Sequence, residues 1–204
     1  MLIPSIAQQL KTLYAQTTPQ SLASLKQQYT GCTQCPLATQ GRSQVVFGSG
    51  SEYAQILFIG EAPGKEEDQQ GLPFIGRSGK LLRNLLAELA FDPAAFYISN
   101  TTKCRPPLNR PPTPNERSTC SSLLLMKEIA AIKPRVICTL GAVATTLFLD
   151  SSNSISQQRG KIIQTEYFAI MPTYHPSYLL RNRQAIESVK NDFMQLKSFL
   201  TPKV

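Results

Sequence analysis

From Ile3 to Tyr29 apolar residues recur at helical intervals, at Ile6, Leu10 and Leu13 and again at Leu22 and Leu25, with Thr17-Thr18-Pro19 between the two groups. The pattern predicts two short helices. Further along, short apolar runs alternate with helix-like stretches: strand Ile56 to Ile59, a loop to Gly79, helix Lys80 to Ala90, strand Tyr97 to Asn100. A proline-rich loop runs to Pro112. There Thr113-Pro114-Asn115-Glu116 has the form of a capping box with proline at the first helical position, which launches a helix to about Ile132. Strand Arg135 to Leu140 follows, then helix Gly141 to Leu149, a polar loop, strands near Lys161 to Gln164 and Phe168 to Met171, and a last helix from Gln184 to Leu200.

Short apolar strands alternating with helices imply an α/β fold with a mostly parallel sheet covered on both faces. In such sheets ligands sit beyond the carboxyl ends of the strands. Three features fall there: Gly60-Glu61-Ala62-Pro63-Gly64 after one strand, Asn100 at the end of another, and Tyr174-His175-Pro176-Ser177 after a third. No internal repeat or low-complexity tract interrupts the pattern.

Composition narrows the partners. A chain of 204 residues, 42% hydrophobic, can bury one substantial core, and a single globular unit acting as a monomer is expected. The 21 Lys plus Arg against 13 Asp plus Glu leave a net charge of +8, which suits a polyanion such as nucleic acid or an anionic membrane. Runs such as Ile56 to Ile59 and Val136 to Leu140 are too short to span a bilayer, so no membrane segment is expected. Met1 to Ala15 lacks a continuous apolar run and does not read as a secretory signal, which makes the cytoplasm the expected compartment.

In a reducing compartment the five cysteines are read as metal ligands or buried thiols. Cys32 and Cys35 form a C-x2-C pair in a polar setting, while fifteen residues separate Cys104 from Cys120. Four thiolates can hold zinc or a 4Fe-4S cluster; the wide second spacing tilts toward the cluster and leaves zinc open. Cys138, inside Val136-Ile137-Cys138-Thr139-Leu140, reads as an inert core thiol. Gly71 to Ser78 approaches the phosphate-binding pattern G-x4-G-K-S with Arg77 in the lysine place. Pro73 has no amide to offer a phosphate and no strand leads into Gly71, so this is read as a decoy.

Four motifs, in order, resemble the family 4 uracil-DNA glycosylases: Gly60-Glu61-Ala62-Pro63-Gly64 with Glu67-Asp68; Pro73-Phe74-Ile75-Gly76-Arg77-Ser78-Gly79; Asn100-Thr101-Thr102-Lys103-Cys104-Arg105-Pro106-Pro107 with Asn109-Arg110; and His175-Pro176-Ser177 with Leu179-Leu180-Arg181. The resemblance runs from Cys32 to Arg181. It implies a central, mostly parallel four-stranded sheet flanked by helices, with residues 1–30 as an N-terminal helical segment and 31–204 as the glycosylase domain. It also implies a 4Fe-4S cluster on Cys32, Cys35, Cys104 and Cys120, and hydrolysis of the bond between a flipped uracil and its sugar in DNA, leaving an abasic site as in base excision repair.

The resemblance implies a pocket made of backbone at Glu61 and Ala62, a stacking ring at Phe74, the amide of Asn100 and the imidazole of His175. Asn100 carries both a donor and an acceptor, so one amide can pair with O4 and N3–H of uracil while presenting the wrong polarity to cytosine. An imidazole N–H at uracil O2 would stabilise charge on the departing base. In the family 1 enzymes an Asp that positions water occupies the place of Ala62, so Glu67 and Asp68 become the candidates for that task here. Lys103, Arg105, Arg110, Arg181 and Arg183 flank the motifs as candidate phosphate contacts, and Tyr178 or Leu179 as a wedge into the gap left by uracil. A non-catalytic iron-sulfur protein and a glycosylase acting on hypoxanthine or xanthine are the competing readings. A subgroup that traps DNA covalently needs a second histidine, and His175 is the only one in the chain.

Overall fold

Residues 2–16, 20–149 and 152–201 are described by a computed structural model, so the Thr17-Thr18-Pro19 break lies outside the described residues. Among those residues six strands make one sheet: β1 (Ser49–Gly50), β2 (Ile56–Gly60), β3 (Phe96–Asn100), β4 (Val136–Leu140), β5 (Ile163–Gln164) and β6 (Ala169–Thr173), in spatial order β1-β3-β2-β4-β6-β5. The expected four strands correspond to the inner parallel part, β3-β2-β4-β6. The count for the whole sheet is corrected to six, because a two-residue antiparallel strand closes each edge. β5 falls within the strand expected near Lys161 to Gln164, whereas β1 has two residues, too few to display alternation, one of them Gly50 at φ 140°.

Every residue of the four inner strands is buried, which is why they read as continuous apolar runs. Successive side chains still point to opposite faces. Ile56 and Phe58, Ile98, Cys138 and Met171 face one core. Leu57 and Ile59, Tyr97, Ile137 and Ile170 face the other. Fully burying each such side chain is worth about 1.5–3 kcal/mol.

The helices are α1 (Pro4–Tyr14), α2 (Leu22–Tyr29), α3 (Lys65–Gln70), α4 (Arg77–Glu88), α5 (Pro114–Cys120), α6 (Met126–Ile132), α7 (Ala142–Phe148), α8 (Ile155–Gln158), α9 (Pro176–Leu179) and α10 (Ile186–Leu200). Right-handed crossovers decide which face each covers. The step from β2 out to β3 carries α4 over the first core through Leu82, Leu85 and Leu86, where α10 adds Val189, Phe193 and Leu196. The return from β3 past β2 to β4 carries α6 over the second core with Met126 and Ile129, joined there by Ile6 and Leu10 of α1 and Phe148 of α7.

Two local details bear on the site. The Thr113 capping box forms as expected, Glu116 N–H donating to Thr113 Oγ1 at 3.3 Å and Thr113 N–H to Glu116 Oε2 at 2.7 Å. Directly after Cys120 the helix widens into a π turn over Ser121–Leu125 before continuing as α6. The stretch expected as a loop to Gly79 instead contains α3, and α4 begins three residues earlier than expected. α3 is all polar, Lys65-Glu66-Glu67-Asp68-Gln69-Gln70, so no apolar period could reveal it. No described helix is long and apolar enough to cross a membrane.

Candidate functional site

A cleft of about 220 Å³ opens beyond the carboxyl ends of β2, β3 and β6, walled by Glu61, Ala62, Phe74, Asn100, Arg110 and His175 among others. Gly60 ends β2. A Cβ there would stand 2.4 Å from Phe74 Cζ and 2.6 Å from Asn100 Oδ1, so glycine alone lets the ring and the amide meet. Phe74 sits at φ 55°, a left-handed conformation that costs a bulky residue about 1–3 kcal/mol. Its backbone presses on α4 where a Cβ at Gly79 would be 2.0 Å away, and Arg83 fixes it by donating from Nε to the Phe74 carbonyl at 3.2 Å.

Asn100 is buried, and its Oδ1 has no hydrogen-bond partner among the described residues. Leaving a buried amide oxygen unpaired costs about 1–3 kcal/mol. The neighbouring backbone is firmly held: Thr101 N–H donates to the Gly60 carbonyl at 2.9 Å and Thr101 Oγ1 to the Glu61 carbonyl at 2.6 Å.

His175 caps α9. Its Nδ1 accepts from Ser177 N–H at 3.1 Å and lies 2.7 Å from Ser177 Oγ, so Nδ1 is an acceptor and the ring proton belongs on Nε2. Burial pushes the imidazole pKa down from 6.5 to about 4, which keeps the ring neutral. The Phe74 and His175 rings lie 6.0 Å apart, tilted by 42°. Behind the histidine, Gly141 at φ 87° admits it: a Cβ there would be 2.9 Å from His175 Cβ. Thr173, the end of β6, donates from Oγ1 to Asp192, which also pairs with Arg159 at 2.6 Å.

Three of the acidic residues near the first motif differ sharply. Glu67 lines the cleft, but its carboxylate accepts from Gly64 N–H at 3.1 Å, Ile75 N–H at 3.0 Å and Gly76 N–H at 2.8 Å, and so ties the start of α3 to the Phe74 loop. Asp68 accepts from Ser43 N–H at 2.9 and 3.0 Å and does not line the cleft. Glu61 lines the cleft, and burial raises the pKa of its carboxyl, Arg117 opposing the shift. Only its backbone is expected at the pocket from the sequence; a carboxylate next to Ala62 is the signal for more.

The basic residues also separate. Lys103, expected at a phosphate, is wholly buried, its ammonium on Glu128 Oε2 at 2.6 Å, on the Asn100 carbonyl at 3.0 Å and on Ser99 Oγ. No phosphate reaches it there. Arg110 lines the cleft while making a bidentate pair with Glu116 at 2.7 and 2.8 Å, which holds the Glu116 carboxyl below its ordinary range. Arg105 braces Asn109 Oδ1 from Nε at 2.8 Å, and Arg181 and Arg183 are exposed. Leu179, one of the two expected wedges, is fully buried in the first core; Tyr178 is partly exposed.

Cys32, Cys35, Cys104 and Cys120 line one cavity together with Arg42, Val45 and Leu124. Arg42 Nη1 donates to Cys104 Sγ at 2.7 Å and Lys103 N–H to Cys120 Sγ at 3.2 Å. Burial pushes the Cys120 thiol up to about 12 and raises those of Cys35 and Cys104, so a positively charged group bound there would have to draw off the protons of these three. Among the described residues no three cysteine, histidine or acidic side chains form a group that could hold a single metal ion. Cys138 stays apart in β4, wholly buried, with its thiol pKa raised by that burial.

The sequence profile of the uracil DNA glycosylase superfamily matches residues 47–198. The chain is 46% identical over 173 residues to a type-4 uracil-DNA glycosylase of Thermotoga maritima, a match covering 83% of this chain and 89% of that protein. Similar proteins of the same designation occur in Archaeoglobus fulgidus, at 37% identity over 87% of this chain and 92% of that one, and in Sulfurisphaera tokodaii, at 37% over 90% and 87%. The chain belongs to the type-4 uracil-DNA glycosylases. For a type-4 glycosylase the profile match is informative in its limits as well: it takes in Gly60, Phe74, Asn100 and His175 but begins after Cys32 and Cys35, so half of the cysteine cavity lies outside it.

Proposed function

We infer that the protein excises uracil from DNA by hydrolysing the bond between a flipped deoxyuridine and its sugar. The unpaired, buried Oδ1 of Asn100 beside the Phe74 ring carries this reading. An orphaned acceptor in a cleft calls for a ligand with a matching donor, and uracil N3–H is one; Asn100 Nδ2 then donates to O4. Cytosine, with an acceptor at N3 and a donor at C4, meets two like-signed groups. Phe74 restores the stacking lost on extrusion.

In the reaction the C1′–N1 bond breaks, its electron pair passes to the base, and water adds to the oxocarbenium-like sugar. His175, neutral with its proton on Nε2, donates to uracil O2 as negative charge develops there. Glu61 is the carboxylate proposed to hold the water and take its proton, since Glu67 and Asp68 spend theirs on backbone amides. Glu67 is then a positioning residue for the Phe74 loop. Arg105, Arg110 and Arg181 are proposed to steady the phosphates near the flipped nucleotide.

We also propose a 4Fe-4S cluster on Cys32, Cys35, Cys104 and Cys120. A zinc ion needs four sulfurs about 2.3 Å from one point, whereas a cluster sets each thiolate on its own iron. The residues fit the cluster, because the four thiols share one cavity and two of them already accept N–H donors. By holding the cluster, these four cysteines would tie the N-terminal pair to the proline-rich loop, and a reducing cytoplasm is the matching compartment. The decisive experiment is incubation of the purified protein with oligonucleotides that carry one uracil, followed by alkali. Cleavage at uracil and at neither thymine nor cytosine is expected; intact strands throughout would leave a non-catalytic iron-sulfur protein.

A further inference from the structure

Leu108 is 96% exposed. A leucine so placed usually marks a slack loop, yet this one is held out by a stiff frame. Leu108 and Asn109 both adopt left-handed backbone, at φ 53° and 58°; asparagine takes it readily, but a leucine does not take it without support. The support is on all sides: Pro106 and Pro107 precede the pair and Pro111 and Pro112 follow it. Asn109 N–H donates to the Pro106 carbonyl at 3.1 Å and Arg110 N–H to that of Pro107 at 3.0 Å. Arg105 braces the Asn109 amide, and Arg110 is clamped by Glu116 and by Gln40 at 3.0 Å. Asn109 and Arg110 line the cleft, so Leu108 stands at its rim.

We propose that Leu108 is a wedge that enters the base stack beside the extruded nucleotide and makes the protein effective on duplex DNA. This rests on the uracil-excision reading. An apolar tip between Arg105 and Arg110 matches a partner with anionic edges and an apolar interior, which a nucleic acid duplex is. Extruding uracil from a duplex leaves a gap between stacked neighbours and a widowed base opposite; an apolar side chain in that gap slows the return of uracil. Of the two expected wedges, Leu179 is locked in the core and cannot serve, and Tyr178, though partly exposed, is engaged by the Tyr174 ring at 4.9 Å and by Asn182 Nδ2 at 2.6 Å. In an unpaired strand there is no opposing base to hold off, so the wedge gains nothing.

The test is single-turnover excision of uracil by the parent and by Leu108→Ala, on a duplex and on the same strand unpaired. Leu108→Ala should slow duplex excision about tenfold or more and leave the unpaired rate little changed. With 2-aminopurine next to uracil in the duplex, the fluorescence rise on binding should shrink in the variant, and Leu108→Met should restore both readouts. An unchanged ratio of duplex to unpaired rates in Leu108→Ala would overturn the wedge while leaving uracil excision standing. A parent protein that frees no uracil from either substrate would overturn the functional reading and the wedge with it.

Discussion

The cleft and the cysteine cavity share the segment Asn100–Cys104, yet they treat polar groups in opposite ways. At the cleft Asn100 keeps a buried oxygen without a partner among the described residues, Phe74 is held in left-handed backbone, and burial lowers the His175 pKa to about 4. In the cavity two thiols are supplied with N–H donors, and Lys103 between the two regions satisfies itself on Glu128, Ser99 and the Asn100 carbonyl. Unspent hydrogen bonds and stored strain mark a place that waits for a ligand. Satisfied ones mark a frame, and around the cavity that frame is the one proposed to hold the cluster. Lys103 belongs to the frame of both regions, its N–H on Cys120 and its ammonium behind Asn100.

The sharpest break of this comparison lies in the cavity. Protein purified under low oxygen should contain iron and absorb in the visible; Cys104→Ala should lose nearly all of that iron, and Cys138→Ala, in the core of β4, should keep it. Metal analysis returning zinc without iron would refute the cluster. Next in size is the shared frame. Lys103→Met leaves Glu128 buried without its cation and should cost about 3–5 kcal/mol in urea unfolding. A loss near zero would mean that the pair carries no structural burden.

The smallest effect sharpens the description of the cleft through acid. His175 has a folded pKa below its unfolded one, so below pH 6.5 the unfolded chain binds a proton that the fold refuses, and stability falls until about pH 4. A gap from 6.5 to about 4 corresponds to about 3 kcal/mol. Relative to His175→Gln, the parent should therefore lose up to that amount as pH falls through this window, and nothing above it. Parallel stability curves for the two proteins would show that the ring is not held neutral.

Much of this was legible in the chain itself. Ile56, Val136 and their neighbours made the inner strands plain because parallel strands buried on both faces carry unbroken apolar runs, and Thr113-Pro114-Asn115-Glu116 marked its helix start because capping is local chemistry. What escaped was whatever depends on distant partners. Lys103 reads as a surface cation until Glu128, far away in sequence, closes over it. Glu67 reads as a free carboxylate until the amides of Ile75 and Gly76 turn back onto it. Leu179 and Leu180 are adjacent and alike, and only the packing of α9 against α4 buries the first and half-exposes the second. The exposure of Leu108 depends on backbone angles that residue type would have argued against.

Leaving-group stabilisation by His175, with Asn100 reading the base, is the proposed way in which the bond breaks. Single-turnover excision at saturating enzyme should be measured for His175→Ala and Asn100→Ala beside Glu61→Gln, with the affinity of each for uracil-containing DNA. A donor that strengthens only as charge develops acts on the transition state, so His175→Ala should slow excision by roughly a hundredfold to a thousandfold while affinity changes little. A near-parent rate in His175→Ala together with a dead Glu61→Gln would place catalysis in water activation and contradict the account.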